Sequence, residues 1–308
     1  MRVLITGGTG LIGRAVAASL VQDDHEVIVL SRSPERITSL PAGVQVVGWN
    51  ARTTEGWGHL ADGAGAIVNL AGVSLSGEGF FPRRWTPERK RLIRESRLNA
   101  ARAVVEAVEQ ARHKPRVLIQ ASGVGYYGHR GDQIVTEETP PGDDFIARFA
   151  SEEWEPSTQR VEVLGVRRAI IRSGVVLSPE SPALKPMLLQ FRLFLGGPIG
   201  TGKQWFSWIH VQDEAAAIRF LIEQETAHGP FNLVAPHPVT NADLARALGR
   251  VLGRPSFLPV PGFAMRLAFG EVADLLLTGQ RANPQRLVNL GFSFRFPEVE
   301  EALRDLLS

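Results

Sequence analysis

Three glycines near the start of the chain have the spacing of an anion cradle. In Val3-Leu4-Ile5-Thr6-Gly7-Gly8-Thr9-Gly10-Leu11-Ile12-Gly13, an apolar run leads directly into glycines 7, 10 and 13, and an apolar-periodic stretch follows. Without a β-carbon, Gly7 permits a tight turn, Gly10 lets backbone approach a pyrophosphate, and Gly13 lets the helix pack closely on the strand. The first helical residues, Leu11 and Ile12, carry backbone N–H groups with no partner inside the helix, so the turn faces a negative charge. A glycine triplet alone is also what an ordinary strand-to-helix turn looks like. Its position between a clear strand and a clear helix selects the dinucleotide reading.

The end of the second strand then chooses between dinucleotides. An acid there would accept a hydrogen bond from the adenosine ribose 2′-hydroxyl, whereas an arginine would pair with a 2′-phosphate. The chain has Ser31-Arg32 and no acid, with Arg36 a helical turn later, so NADP(H) is favoured over NAD(H). The alternative is that Arg32 is only a solvated surface residue.

The elements that must hold these residues follow from periodicity. Short apolar runs at Val3–Thr6, Glu26–Leu30, Val44–Val47, Ala66–Leu70, Val117–Ala121 and Ala169–Arg172 read as strands. Helical patterns fill about 11–22, 87–112 and 144–160, and Pro156 kinks or splits the last. This rhythm predicts an α/β fold, a doubly wound Rossmann parallel sheet, over residues 1–178. Beyond Pro179 prolines cluster and helices at about 241–252, 262–277 and 298–307 dominate, which predicts a smaller C-terminal lobe over 179–308. Residues 204–225 are a candidate return to the first domain.

Composition narrows the function classes. The 34 basic and 32 acidic residues are interspersed and leave a formal charge of +2, so no nucleic-acid partner is expected. There is no cysteine, which removes disulfides and thiolate chemistry. The seven histidines are scattered without ligand spacing, so no metal site is expected. No apolar stretch is long enough to span a membrane, and Gly7, Gly8 and Gly10 interrupt the apolar start where a signal peptide would continue. A cytoplasmic location is the default expectation.

Several motifs together carry a family resemblance. The Thr6–Gly13 opening, Asn69-Leu70-Ala71-Gly72 and Arg172-Ser173-Gly174-Val175-Val176-Leu177 resemble an extended short-chain dehydrogenase/reductase of the nucleotide-sugar epimerase kind. Arg84-Trp85, Ser96-Arg97, Ser122-Gly123-Val124-Gly125-Tyr126-Tyr127-Gly128, Trp154-Glu155 and Gly202–His210 narrow it to the atypical epimerase-like subfamily that includes the bacterial YfcH-type proteins. Pro259-Val260-Pro261, Gly279-Gln280-Arg281 and Gly291-Phe292-Ser293-Phe294 extend the likeness through the C-terminal module. The resemblance implies a Rossmann core, NADP(H) lying along the glycine turn and Leu70, Ala71 and Gly72, and a substrate cleft under the C-terminal lobe. It implies no particular substrate.

In that superfamily a serine after the fifth strand and a Tyr-x-x-x-Lys on the next helix carry the hydride chemistry, the tyrosine as acid/base and the lysine lowering its pKa while holding the ribose. Ser122 matches the serine. The tyrosine and lysine positions hold Phe145 and Phe149, which move no proton, and Arg148 beside the lysine position is a candidate for holding ribose or phosphate. Tyr126 and Tyr127, the only tyrosines, follow Ser122 in the glycine-rich loop; either can replace the missing acid, or one can pack while the other gates the pocket. Gln204–His210 reads as a strand whose aromatic residues wall a cleft or fill a core, with His210 held by Asp213.

Two functions follow. One is an NADP(H)-dependent oxidoreductase or epimerase acting on a small polar, sugar-nucleotide-like molecule. The other is a catalytically silent NADP(H)-binding regulatory or sensor protein, favoured by the missing Tyr-x-x-x-Lys. The long helices at 87–112 and 144–160 are candidates to pair across a two-fold axis in a homodimer.

Overall fold

The computed structural model describes residues 1–77 and 79–308. Strand β1 (Arg2–Thr6) runs through the glycine turn into helix α1 (Leu11–Val21), followed by β2 (Glu26–Ser31) and β3 (Gln45–Gly48). After β4 (Ala66–Asn69) come the 24-residue helix α2 (Pro87–Gln110) and β5 (Val117–Gly123). Helix α2 starts where the sequence permits: Thr86 accepts a hydrogen bond from the Arg89 N–H, and Pro87 occupies the first helical position, where no N–H is needed. Alternate side chains of each strand divide the core in two. Val3, Ile5, Val27 and Val29 pack with α1, whereas Leu4, Ile28 and Leu30 pack with α2.

Past the short β6 (Ile134–Val135), the expected helix over 144–160 is in pieces. Helix α3 (Phe145–Phe149) passes into a π turn over Ala150–Trp154; a 3₁₀ turn at Pro156–Thr158 and α4 (Arg160–Val163) follow. The break at Pro156 agrees with its sequence. The π turn does not appear in the hydrophobic pattern: the Glu155 N–H reaches back five residues to the Ala150 carbonyl at 2.9 Å. The wider turn leaves both Trp154 and Glu155 buried.

The chain continues through β7 (Arg167–Ser173), β8 (Val175–Leu177), α5 (Leu184–Arg192), β9 (Trp205–Phe206), β10 (Trp208–His210), α6 (Val211–Glu223) and β11 (Gly229–Leu233). The main sheet has seven strands in the order β11-β7-β5-β4-β1-β2-β3, all pairs parallel. With α1 and α6 sharing one apolar core and α2 and α4 the other, this is a doubly wound Rossmann fold. The edge strand β11 lies in the part of the chain where the sequence suggested only the smaller lobe. Its Phe231 and Leu233 join the core under α1 and α6.

The remaining elements are β12 (Val239–Thr240), α7 (Asn241–Leu252), α8 (Gly262–Phe269), α9 (Asp274–Leu277), β13 (Arg281–Ala282), α10 (Gln285–Asn289) and α11 (Val299–Leu307). The expected helix over 262–277 is divided at Gly270, whose φ of +65° no helix accommodates. Leu184, Leu188 and Phe191 of α5, Leu244 and Leu248 of α7 and Leu303 of α11 close a separate core around Trp208. Among the described residues no helix is long and apolar enough to cross a membrane.

Candidate functional site

The glycine turn is built as its composition requires. Gly7 has φ +67°, and a β-carbon there would lie 2.8 Å from the carbonyl of Leu70 and 3.0 Å from the amide of Ala71. The turn and the loop after β4 therefore touch backbone to backbone. At Gly10, the N-cap of α1, a β-carbon would meet only the Gly7 oxygen, at 3.3 Å, so the helix entrance is open. Gly13 serves a different surface from the one expected. Its β-carbon would sit 2.5 Å from Gly8 Cα and 2.6 Å from Gly7 O, so it clears the turn itself rather than the strand. Leu11 and Ile12 form the first turn of α1, part-exposed beside the cradle.

A buried polar chain locks the two loops together. Thr6 Oγ1 donates to Asn69 Oδ1 at 2.6 Å and accepts from the Ala71 N–H at 3.2 Å, while Asn69 Nδ2 donates to Gln120 Oε1 at 2.9 Å. Each of these groups finds a partner, so strands β1, β4 and β5 end at fixed heights beneath Leu70, Ala71 and Gly72. At the end of β2, Ser31 Oγ accepts from the Ser33 N–H at 3.2 Å, and Arg32 is exposed. Among the described residues no carboxylate pairs with Arg32. A cradle that side chains would fill, an open helix entrance and an uncommitted guanidinium two strands from Gly72 fit a dinucleotide phosphate.

At the end of β5 the chemistry is concentrated. Ser122 Oγ donates to Glu155 Oε1 at 2.7 Å, and Arg172 on β7 grips the same carboxylate through Nε and Nη2, both at 2.9 Å. The pair is nearly sealed from solvent. Burial works against the charge of Arg172, but the hydrogen bonds and charge of Glu155 outweigh it and hold the guanidinium protonated well above its ordinary range. Glu155 joins Ser122 to Arg172, a contact the sequence did not reveal. Only its place in the Trp154-Glu155 motif marked it, because the π turn that aims it at Ser122 leaves no trace in the periodicity.

The two tyrosines separate. Tyr127 is fully buried; its hydroxyl donates to Asn232 Oδ1 at 2.6 Å and accepts from Arg172 Nη1 at 3.0 Å. Burial pushes its phenol up to about 12. With its hydroxyl committed to two buried partners, Tyr127 matches the alternative in which one tyrosine of the pair packs. Tyr126 is part-exposed, its hydroxyl bonds no described residue, and the Arg172 guanidinium lies 3.4 Å from its ring centre.

Phe145 and Phe149 occupy the positions of the missing pair as a stack, centres 6.5 Å apart, continued by Trp154 at 5.8 Å from Phe149. Arg148, one residue away, is exposed and lines an open hollow with Arg94, Asp143 and Glu152, none of them in the glycine turn. Phe145 and Phe149 line the same hollow.

The aromatic run 204–210 is broken at Ser207, whose Oγ donates to the Gln280 carbonyl and accepts from the Ala282 N–H. Trp208, Ile209 and His210 are all fully buried, so both faces of β10 are core. His210 Nδ1 accepts from the Gln212 N–H at 3.1 Å, and the carboxylate beside Nε2 is that of Asp305, 3.3 Å away without hydrogen-bond geometry, and not that of Asp213, which instead accepts from the N–H groups of Arg295 and Phe296. Burial lowers the pKa of the imidazole.

The NAD dependent epimerase/dehydratase family matches residues 3–234, and a domain of unknown function, DUF1731, matches residues 260–306. The chain is similar to the chloroplastic epimerase family protein SDR39U1 homolog of Arabidopsis thaliana, 38% identical over 309 residues covering 100% of this chain and 87% of that one. It is 37% identical to epimerase family protein YfhF of Bacillus subtilis, over 100% and 98% of the two chains. The crystal structure of human epimerase family protein SDR39U1 with NADPH matches with a TM-score of 0.86 and 36% identity, over 99% of each chain.

Proposed function

This chain belongs to the NAD dependent epimerase/dehydratase family, and we propose that it is an NADP(H)-dependent oxidoreductase for a small polar substrate bound beneath the C-terminal lobe. Gly7, Gly10 and the first turn of α1 hold the pyrophosphate, Arg32 and Ser31 take the 2′-phosphate, and Leu70–Gly72 line the nicotinamide half. The NADPH in the human relative supports this choice of cofactor. A nicotinamide held there would supply hydride transfer.

The observation that carries the reading is the Ser122–Glu155 hydrogen bond at the end of β5. With its own proton committed to a carboxylate, Ser122 Oγ presents lone pairs and accepts from a substrate hydroxyl. It orients that hydroxyl for oxidation or receives it after reduction. Glu155 positions Ser122, and Arg172 positions Glu155. Tyr126 Oη, uncommitted among the described residues, exchanges the substrate proton with solvent. A homodimer through α2 belongs to the same reading, and light scattering tests it.

A second reading, a catalytically silent NADP(H)-binding sensor, is supported by the Phe145–Phe149 stack in place of an acid and a cation. One experiment separates the two. NADPH and NADH are titrated by tryptophan quenching against the wild type and Arg32→Ala, and NADPH oxidation is then followed across a panel of sugar nucleotides and small carbonyl compounds. A preference for NADPH that collapses in Arg32→Ala supports the cofactor site. Turnover that disappears in Ser122→Ala, with binding intact, supports the oxidoreductase; binding without turnover across the panel favours the sensor.

A further inference from the structure

The stack that replaces the family's lysine supports a cation from another helix. Arg97 of α2 is 7% exposed, and its guanidinium carbon lies 4.7 Å from the Trp154 ring, which in turn stacks on Phe149. On the side of the cofactor loop, a β-carbon on Gly72 would fall 2.9 Å from that carbon, so the exposed Gly72 backbone rests directly on the guanidinium.

The donors of Arg97 are only partly used. Nη1 donates to the carbonyls of Val73 and Ile93, both at 3.1 Å, while Nε is buried with no hydrogen-bond partner among the described residues. Among the described residues no carboxylate pairs with this side chain. Burial, reinforced by the nearby Arg89, lowers its pKa to about 10, so it stays charged at neutral pH. A buried cation without a counter-ion is costly, and an anion at this site would offset the cost.

The sheet order says which anion. Arg32 ends β2 and Gly72 follows β4, on opposite sides of β1 and its glycine turn. A dinucleotide with its 2′-phosphate on Arg32 and its pyrophosphate on the turn must extend its nicotinamide half towards Gly72. We propose that Arg97, seated on Trp154 beneath Gly72, is the cation that binds the pyrophosphate–nicotinamide ribose half of the dinucleotide, in place of the lysine that Phe149 displaces.

This inference rests on the NADP(H) reading above. Its test is calorimetric titration of NADPH, NADH and 2′,5′-ADP, the last being the adenosine half alone, against the wild type and Arg97→Gln. Loss of a charged hydrogen-bond donor corresponds to roughly 10- to 100-fold weaker binding. That loss is expected equally for NADPH and NADH, with 2′,5′-ADP within about twofold of the wild type. Arg97→Met, apolar and of similar length, carries the same expectation if the glutamine variant does not fold. Unchanged NADPH affinity in a folded variant overturns the proposal, and so does an equal loss of 2′,5′-ADP, which marks a purely structural arginine. A wild type that binds none of the three overturns the cofactor reading itself and this inference with it.

Discussion

Glu214 offers the most quantitative test of how the fold sets its charges. It lies in the first turn of α6, fully buried; Ser173 Oγ donates to Oε1 at 2.6 Å, and Oε2 has no partner among the described residues. Burial raises its pKa from the model-peptide 4.5 to about 8, against the opposing pull of the Ser173 hydrogen bond. A carboxyl raised on folding contributes stability that is fully present below about pH 4.5 and lost as pH rises through about 8. Integrating between those two values, the wild type loses about 2.5 kcal/mol from this group between pH 5 and 7, and at most about 4 kcal/mol by pH 9. Glu214→Gln presents what the neutral acid presents, an acceptor for Ser173 and a donor beside it, so at pH 5 it should lie within about 1 kcal/mol of the wild type. Urea denaturation of both proteins at pH 5, 7 and 9 measures the difference. The variant should gain on the wild type steadily across that range; a difference constant to within about 1 kcal/mol refutes the buried, proton-bearing Glu214.

Tyr127→Phe strands the Asn232 carbonyl and one Arg172 N–H in the core, and should cost about 2 kcal/mol in chemical denaturation while leaving NADPH affinity unchanged. Tyr126→Phe should behave oppositely, keeping stability and NADPH binding but abolishing the turnover of any substrate found; retained turnover removes Tyr126 from the proton path. Glu155→Gln breaks the charge pair with Arg172 in a sealed site and should destabilise by about 3–5 kcal/mol, read as a fall in urea midpoint. Gly13→Ala drives a methyl into Gly8 and Gly7 of the turn, so NADPH affinity should fall at least tenfold in the same titrations; wild-type affinity would mean the turn yields freely.

Much of the fold was legible because its signals are local. The strands β1, β2, β3, β4, β5 and β7 sit within a few residues of their apolar runs, and α7 spans Asn241–Leu252 with the Thr240–Asp243 capping box at its start and Gly253 in the left-handed region at its end. The break at Pro156 was legible for the same reason, since a proline removes a donor wherever it stands. The π turn over Ala150–Trp154 was not, because a residue added to one turn obeys the contacts around it rather than a pattern in its own segment. Strand β11 was missed likewise: Gly229-Pro230 reads as a breaker, and only pairing with β7 makes it an edge strand, where proline is tolerated.

For the site, residue types by themselves determined the glycine turn, the arginine at the end of β2 and the loss of Tyr-x-x-x-Lys. Each is a statement about what one residue's own backbone or side chain can do. Only the tertiary structure decided which tyrosine is sealed against Asn232, that Glu155 holds Ser122, that Asp305 and not Asp213 lies beside His210 Nε2, and that Arg97 lies under Gly72. Those outcomes depend on burial and on partners up to 105 residues away in the chain, and neither desolvation nor a long-range contact is encoded in the spacing of a single segment.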